Sequence, residues 1–235
     1  MKYILLFLSF SVLLNFTYSQ SSKDYYNRAI VKFKNQNFKD AILDLDMAIE
    51  FDQNYVDALY KRGVAKHNLK DYSAAIKDFE RALDIDPLYA AAIYHKSLTT
   101  SKMNDFRGQI DEISSELVDN PNNIDGYNKR GLLKLKINDV QAALMDFNTA
   151  LEIDSVHALT YNNRGLAKFK NKDPEGAIAD FNKAILLNNK LDQAYFNRGT
   201  VKLTLGRNKE ACEDISKASI LGNEEALDAL KKNCQ

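Results

Sequence analysis

Tryptophan is absent from this sequence, proline occurs three times, glycine nine times and cysteine twice. Helix formers fill the space these leave, and such a composition suits an all-helical array. An excess of either charge is also missing: 32 Lys plus Arg face 32 Asp plus Glu. Nucleic acid is therefore a poor principal ligand, because binding phosphates needs a basic excess or stripe. The two cysteines form no C-x-x-C, and the histidines, His67, His95 and His157, lie far apart. With no Ser/His/Asp set, His cluster or glycine-rich phosphate loop, the expectation is no catalytic residue, no metal and no cofactor.

The first residues differ from the rest. Lys2 precedes an apolar run of 14, Tyr3 to Phe16, interrupted by Ser9, Ser11 and Asn15. Thr17 and Ser19 then place small residues just before Gln20. This is the pattern of a secretory signal peptide over residues 1–19. The expectation is an exported protein, periplasmic or secreted, with no membrane insertion after cleavage. The alternative is an uncleaved anchor, for which the run falls short of the ~20 residues a span needs. No cysteine stands near its end, which argues against lipoprotein attachment. Ser-Gln at the cut resembles a Gram-negative bacterial signal. Cleavage removes one lysine and no acid, leaving 31 basic and 32 acidic residues.

From Ser22 the chain repeats every 34 residues without an insertion, in repeats 22–55, 56–89, 90–123, 124–157, 158–191 and 192–225. Numbering slots from 1 to 34 within each repeat exposes two helical patterns. Slot 8 is small: Ala29, Gly63, Ser97, Gly131, Gly165 and Gly199. Slots 20 and 27 are alanine in every repeat but the third, which has Gln109 and Glu116. Slot 24 is a large apolar residue: Leu45, Phe79, Ile113, Phe147, Phe181 and Ile215. Spacings of three and four put slots 4, 8 and 11 on one helix face and slots 20, 24 and 27 on another. Small residues on both faces let the two backbones approach. Between the helices, slot 16 offers N-caps: Asn37, Asp71, Asp105, Asp139 and Asp173. Pro174 follows at the first helical position, and Pro87 and Pro121 close second helices.

This pattern resembles the tetratricopeptide repeat (TPR) family. The resemblance rests on the period, the small slot 8, the alanines at slots 20 and 27 and the aromatic at slot 24. It implies an all-α, right-handed superhelical solenoid of six helix pairs. It also implies a non-catalytic scaffold that binds a peptide or protein surface in its concave face. Helix pairs of this kind depend on stacked neighbours for stability.

Slots 7 and 11 depart from the usual repeat. Slot 7 is basic (Arg28, Arg62, Lys96, Arg130, Arg164, Arg198), slot 11 is Lys32, Lys66, Thr100, Lys134, Lys168 and Lys202, and slot 23 is acidic (Asp44, Asp78, Glu112, Asp146, Asp180, Asp214). The reading is an ion pair from first helix to second in each repeat, shared by the Lys at slot 11. It acts as a brace rather than a ligand site. Repeat 3 departs further, and either it has drifted or it forms a hinge between repeats 1–2 and 4–6. After the sixth repeat, residues 226–235 read as a capping helix. It carries Cys234, whereas Cys212 occupies slot 21, the slot expected to pack on the next element. A Cys212–Cys234 disulfide is one reading, suited to an exported protein, and two free thiols acting as apolar fillers are the other.

The expected ligand face uses slots 2, 5, 9 and 12 of the first helices with a lysine rim at slot 13. Slot 5 supplies the candidate peptide-binding residues Tyr26, Tyr60, Tyr94, Asn128, Asn162 and Phe196. Part of this stripe, slot 9 above all, also serves to pack first helices together. Relatives that clamp a C-terminal carboxylate use Lys at slot 5 and Asn at slot 9, and neither occurs here. A peptide with apolar side chains fits better. The alternative function is a structural or self-assembling envelope protein.

Overall fold

A computed structural model describes residues 21–234, so the expected signal segment lies outside the described residues. All regular structure among them is helical. Helix α1 covers 21–34, followed by α2 (Phe38–Phe51), α3 (Val56–Asn68), α4 (Tyr72–Ile85) and α5 (Ala90–Asp119). Then come α6 (Ile124–Lys136), α7 (Val140–Ile153), α8 (Ala158–Lys170), α9 (Pro174–Leu187), α10 (Asp192–Thr204), α11 (Asn208–Ile220) and α12 (Glu224–Asn233). The chain divides into two compact units, and the boundary, between Asp105 and Phe106, falls inside α5. The N-terminal unit pairs α1 with α2 and α3 with α4. The C-terminal unit pairs α6 with α7, α8 with α9 and α10 with α11, and α12 packs on α11.

One turn chemistry closes all five pairs. Slot 15 takes a left-handed backbone, with φ of 57° at Gln36, 64° at Lys70, 66° at Asn138, 63° at Lys172 and 73° at Gly206. The next N–H reaches back to a carbonyl in the last turn of the first helix, as Asp139 does to Lys134 at 2.8 Å. This satisfies carbonyls that the helix end would orphan. In four of the five pairs slot 16 then caps the second helix. Asn37, Asp71, Asp139 and Asp173 accept from backbone N–H groups three residues on.

Packing explains the small slots. A Cβ added at Gly63, Gly131 or Gly165 would lie 2.6 Å from the ring of Phe79, Phe147 or Phe181 respectively. The phenylalanine at slot 24 thus requires glycine at slot 8. Repeat 1 makes the same contact region from Ala29 and the smaller Leu45, both fully buried. The alanines at slots 20 and 27 are fully buried in all five pairs.

Repeat 3 corrects the expectation of six pairs. Its two helical segments run together as α5, 30 residues long, and Asp105 stands inside that helix instead of capping a second one. Gln109 and Glu116 are exposed. Folding back would carry both into positions where the other repeats bury alanine. That desolvation is costly for long polar side chains, and a continuous helix avoids it.

Candidate functional site

The brace is built from helix geometry. Slots 7 and 11 are one turn apart on the first helix, so both point at slot 23 across the pair. Arg62 and Lys66 lie 2.6 and 2.7 Å from the two oxygens of Asp78. Arg130 and Lys134 hold Asp146 at 2.6 and 2.8 Å, and Arg164 and Lys168 hold Asp180 at 2.8 and 2.9 Å. Arg28 and Lys32 hold Asp44 in the same way, and Arg198 and Lys202 hold Asp214. All five carboxylates are buried. Side-chain hydrogen bonds to Asp146 and Asp180 raise the pKa values of Arg130 and Arg164 against the opposing effect of burial.

Slot 25 adds a partner that the sequence reading missed. Arg62 reaches Asp46 at 2.6 Å, Arg130 reaches Ser114 at 3.1 Å, Arg164 reaches Asn148 at 2.9 Å and Arg198 reaches Asn182 at 2.6 Å. Each link joins one repeat to the one before it. The available signal was a polar residue at slot 25 immediately after the slot-24 apolar residue. In repeat 3 this is the link that remains: Lys96 pairs with Glu80 at 3.0 Å. Four arginines also lie over the tyrosine one turn earlier, as Arg164 does over Tyr161 at 5.3 Å.

Three of the six slot-5 candidates need correction. Tyr60, Asn128 and Asn162 are buried, because slot 5 faces the first helix of the following repeat. Asn128 donates to Thr160 Oγ1 at 2.7 Å and accepts from Asn163 at 3.0 Å. Asn162 accepts from Asn197 at 2.9 Å. Tyr60 packs edge-on to Tyr89 and His95. Tyr26 is half-buried against Tyr55, and burial, with Asp57 next in weight, pushes its pKa up to about 12. Phe196 is half-buried. Tyr94 alone of the six is open, at 65 % exposure.

What the first helices leave accessible lies elsewhere on the same stripe. In the C-terminal unit Leu132 on α6 is 37 % exposed and Leu159 on α8 is 41 % exposed. Lys136 and Lys170 stand one turn beyond slot 9, and both are exposed. Lys136 lies over the ring of Phe106 at 5.0 Å, and Lys170 donates to the Leu135 carbonyl at 2.7 Å. Polar chemistry is sparse by contrast. Among the described residues no group of three His, Cys, Asp or Glu could hold a metal ion. No described helix is long and apolar enough to cross a membrane. Cys212 and Cys234 are joined by a disulfide that ties α11 to the end of α12, with their Cα atoms 5.6 Å apart.

Comparison with known proteins agrees with this geometry. A tetratricopeptide-repeat family model matches residues 56–89 and 158–191, and a second matches residues 192–219. Both begin on boundaries of the 34-residue frame. No curated protein matches the chain. A thermophilic TPR protein of Thermus thermophilus is similar at 21 % identity and a TM-score of 0.50, over 76 % of this chain and 96 % of that one. A chain of the APC/C hetero-tetramer Cut9–Hcn1 is similar at 16 % identity and a TM-score of 0.51. That likeness covers 92 % of this chain and 43 % of the other. Three segments of the chain therefore match tetratricopeptide repeats, and its fold is that of these structures.

Proposed function

We propose that this chain is a non-catalytic scaffold for protein–protein interaction, and that its C-terminal unit holds an extended partner segment on the face of α6 and α8. Repeats of this fold commonly bind peptides or protein surfaces. The observation that carries the reading is the pair of exposed leucines, Leu132 and Leu159, on first helices whose other apolar faces are packed. Lys136 and Lys170 flank them. Apolar anchors set beside cations select a segment with apolar side chains and nearby acids. The buried asparagines, Asn128 and Asn162, hold the successive first helices in register and so preform the surface. The test is selection from a displayed random-peptide library. Enriched sequences should pair an aliphatic or aromatic residue with Asp or Glu, and Leu132→Glu/Leu159→Glu should weaken their binding at least tenfold with an unchanged circular dichroism spectrum. Equal binding by that variant would remove the surface from consideration.

A further inference from the structure

Two pairs of tyrosine rings flank one aspartate in the N-terminal unit. Tyr26 of α1 packs at a tilt on Tyr55, their ring centres 5.0 Å apart. One repeat on, Tyr60 of α3 meets Tyr89 edge to face at 5.3 Å. Both contacts have the same origin: a slot-5 tyrosine leans on the slot-34 tyrosine that leads into the next first helix. Asp57, in the first turn of α3, links the two pairs. Its Oδ1 accepts from the Tyr89 hydroxyl at 2.6 Å. Its charge also reaches Tyr26 and Tyr55, since burial raises the pKa of both phenols and Asp57 is the next cause in each.

The chain supplies no cation for this carboxylate. Lys61 stands one turn along α3, at the spacing that would suit a pair with Asp57. It lies instead over the rings of Phe33 and Tyr60, at 5.5 and 5.3 Å. Among the described residues Asp57 forms no ion pair, and Tyr89 is its one side-chain hydrogen-bond partner. The hydroxyls of Tyr26 and Tyr55 make no hydrogen bond to the described residues, and both reach solvent. Asp57 itself is exposed. The contrast is with the slot-23 aspartates, each of which meets two cations of its own repeat. An acid in a first turn also suits the helix dipole, but Asp57 caps no N–H of α3, and its one bond goes to a phenol of the next repeat.

We propose that Asp57 and the hydroxyls of Tyr26 and Tyr55 bind a basic side chain, Arg or Lys, of a partner segment lying across the first helices of the N-terminal unit. Charge selects that occupant. A carboxylate and phenol oxygens are acceptors, and guanidinium and ammonium groups are the side chains that carry several donors and no acceptor. The bond to Asp57 is charge-assisted, and no cation of the chain has to be displaced to make it. Ring faces add attraction for the same charge. The unit already uses that contact internally, with Arg28 over Tyr25 at 5.0 Å. An acidic segment would meet the Asp57 charge unscreened by any partner.

The site lies within the N-terminal unit and does not depend on the surface of α6 and α8. The test uses the disulfide-intact chain carrying Leu132→Glu/Leu159→Glu, which disables that surface, as bait for the displayed random-peptide library. Enriched sequences should share an Arg or Lys at one position. Asp57→Asn keeps an acceptor for Tyr89 and removes the charge. It should weaken the selected peptide roughly tenfold, the worth of a hydrogen bond to a charged group. Exchanging the peptide's basic residue for Gln should cost as much, and both changes together no more than either alone. Tyr26→Phe keeps the ring and removes a hydroxyl that has no partner in the chain, so folding is spared. It should weaken binding roughly threefold, as the loss of one neutral hydrogen bond does. No enrichment, enrichment without a shared basic residue, binding unchanged by Asp57→Asn or by Tyr26→Phe, or losses that add in the double change would each overturn the proposal.

Discussion

Repeats 3 and 4 carry the same two residues, Asn-Asp, at slots 15 and 16, yet one stays helical and the other turns. The turn residues therefore do not decide the matter. Asn138 adopts a left-handed backbone, a conformation that asparagine tolerates better than most residues. Asn104 has the same capacity and stays helical. The difference lies further along, where repeat 4 folds Ala143 and Ala150 into full burial and repeat 3 presents Gln109 and Glu116. A turn forms when the two helices it joins gain enough by packing to offset the broken helix. Repeat 4 meets that condition, and repeat 3 does not.

Moving the third repeat's residues into the fourth should break the contrast. Ala143→Gln/Ala150→Glu would insert two long polar side chains between α6 and α7. Overpacking costs about 1–3 kcal/mol per site, and burying each polar group without a partner adds about 1–3 kcal/mol. We expect a loss of more than ~3 kcal/mol in urea unfolding, with amide protection lost first in α6 and α7. A loss below ~1 kcal/mol, the low end for a single overpacked site, would show that slots 20 and 27 do not govern closure.

The brace gives a smaller and more local contrast. Asp146→Ala would leave Arg130 and Lys134, both largely covered, without their shared anion. Breaking a buried pair in this way costs about 3 kcal/mol, since the stranded charge is the main penalty. Glu80 pairs with Lys96 in repeat 3, where both side chains are substantially exposed. Glu80→Ala should therefore cost no more than about 1 kcal/mol, the ordinary worth of a surface ion pair. Thermal unfolding of the two variants side by side checks the ratio, and equal losses would refute the distinction between covered and open links.

Much of this was legible beforehand. The period, the slot-8 glycines, the buried alanines and the slot-7 to slot-23 pairing follow from residue type at fixed spacing, since each is a two-body contact within one repeat. Contacts between repeats were harder to read. Asn128 and Asn162 look like ligand-facing polar residues until their partners, Asn163 and Asn197, are found 35 residues on, at the adjacent slot of the next repeat. A first helix has two packing faces, and polarity alone does not separate a buried asparagine pair from a solvated one. Aspartate or asparagine at slot 31 is a similar case: Asp52, Asp86, Asp154 and Asn188 each accept from the N–H two residues on and close the link to the next repeat. The continuous α5 was not legible, because its cause is a balance between two favourable local structures rather than a missing signal.

The smallest expected effect sets the first unit apart by pH. His67 and His95 lie on α3 and α5, and burial lowers the pKa of both below the usual histidine value. His95 and Lys102 add to the shift at His67, and Lys61 adds to it at His95. His67 contacts Thr99 at 2.8 Å, and His95 packs among Tyr60, Phe79 and Tyr94. A histidine whose folded pKa is depressed binds its proton more readily when unfolded. Its stabilisation is complete above the unfolded value of about 6.5 and declines as pH falls below it. The N-terminal unit should thus lose stability on going from about pH 7 to about pH 5.5, a window that spans that unfolded value, and His67→Gln/His95→Gln should flatten that slope. Urea midpoints at the two pH values, followed by hydrogen exchange in α3 and α4, measure it. An identical slope in the variant would place the acid sensitivity elsewhere in the unit.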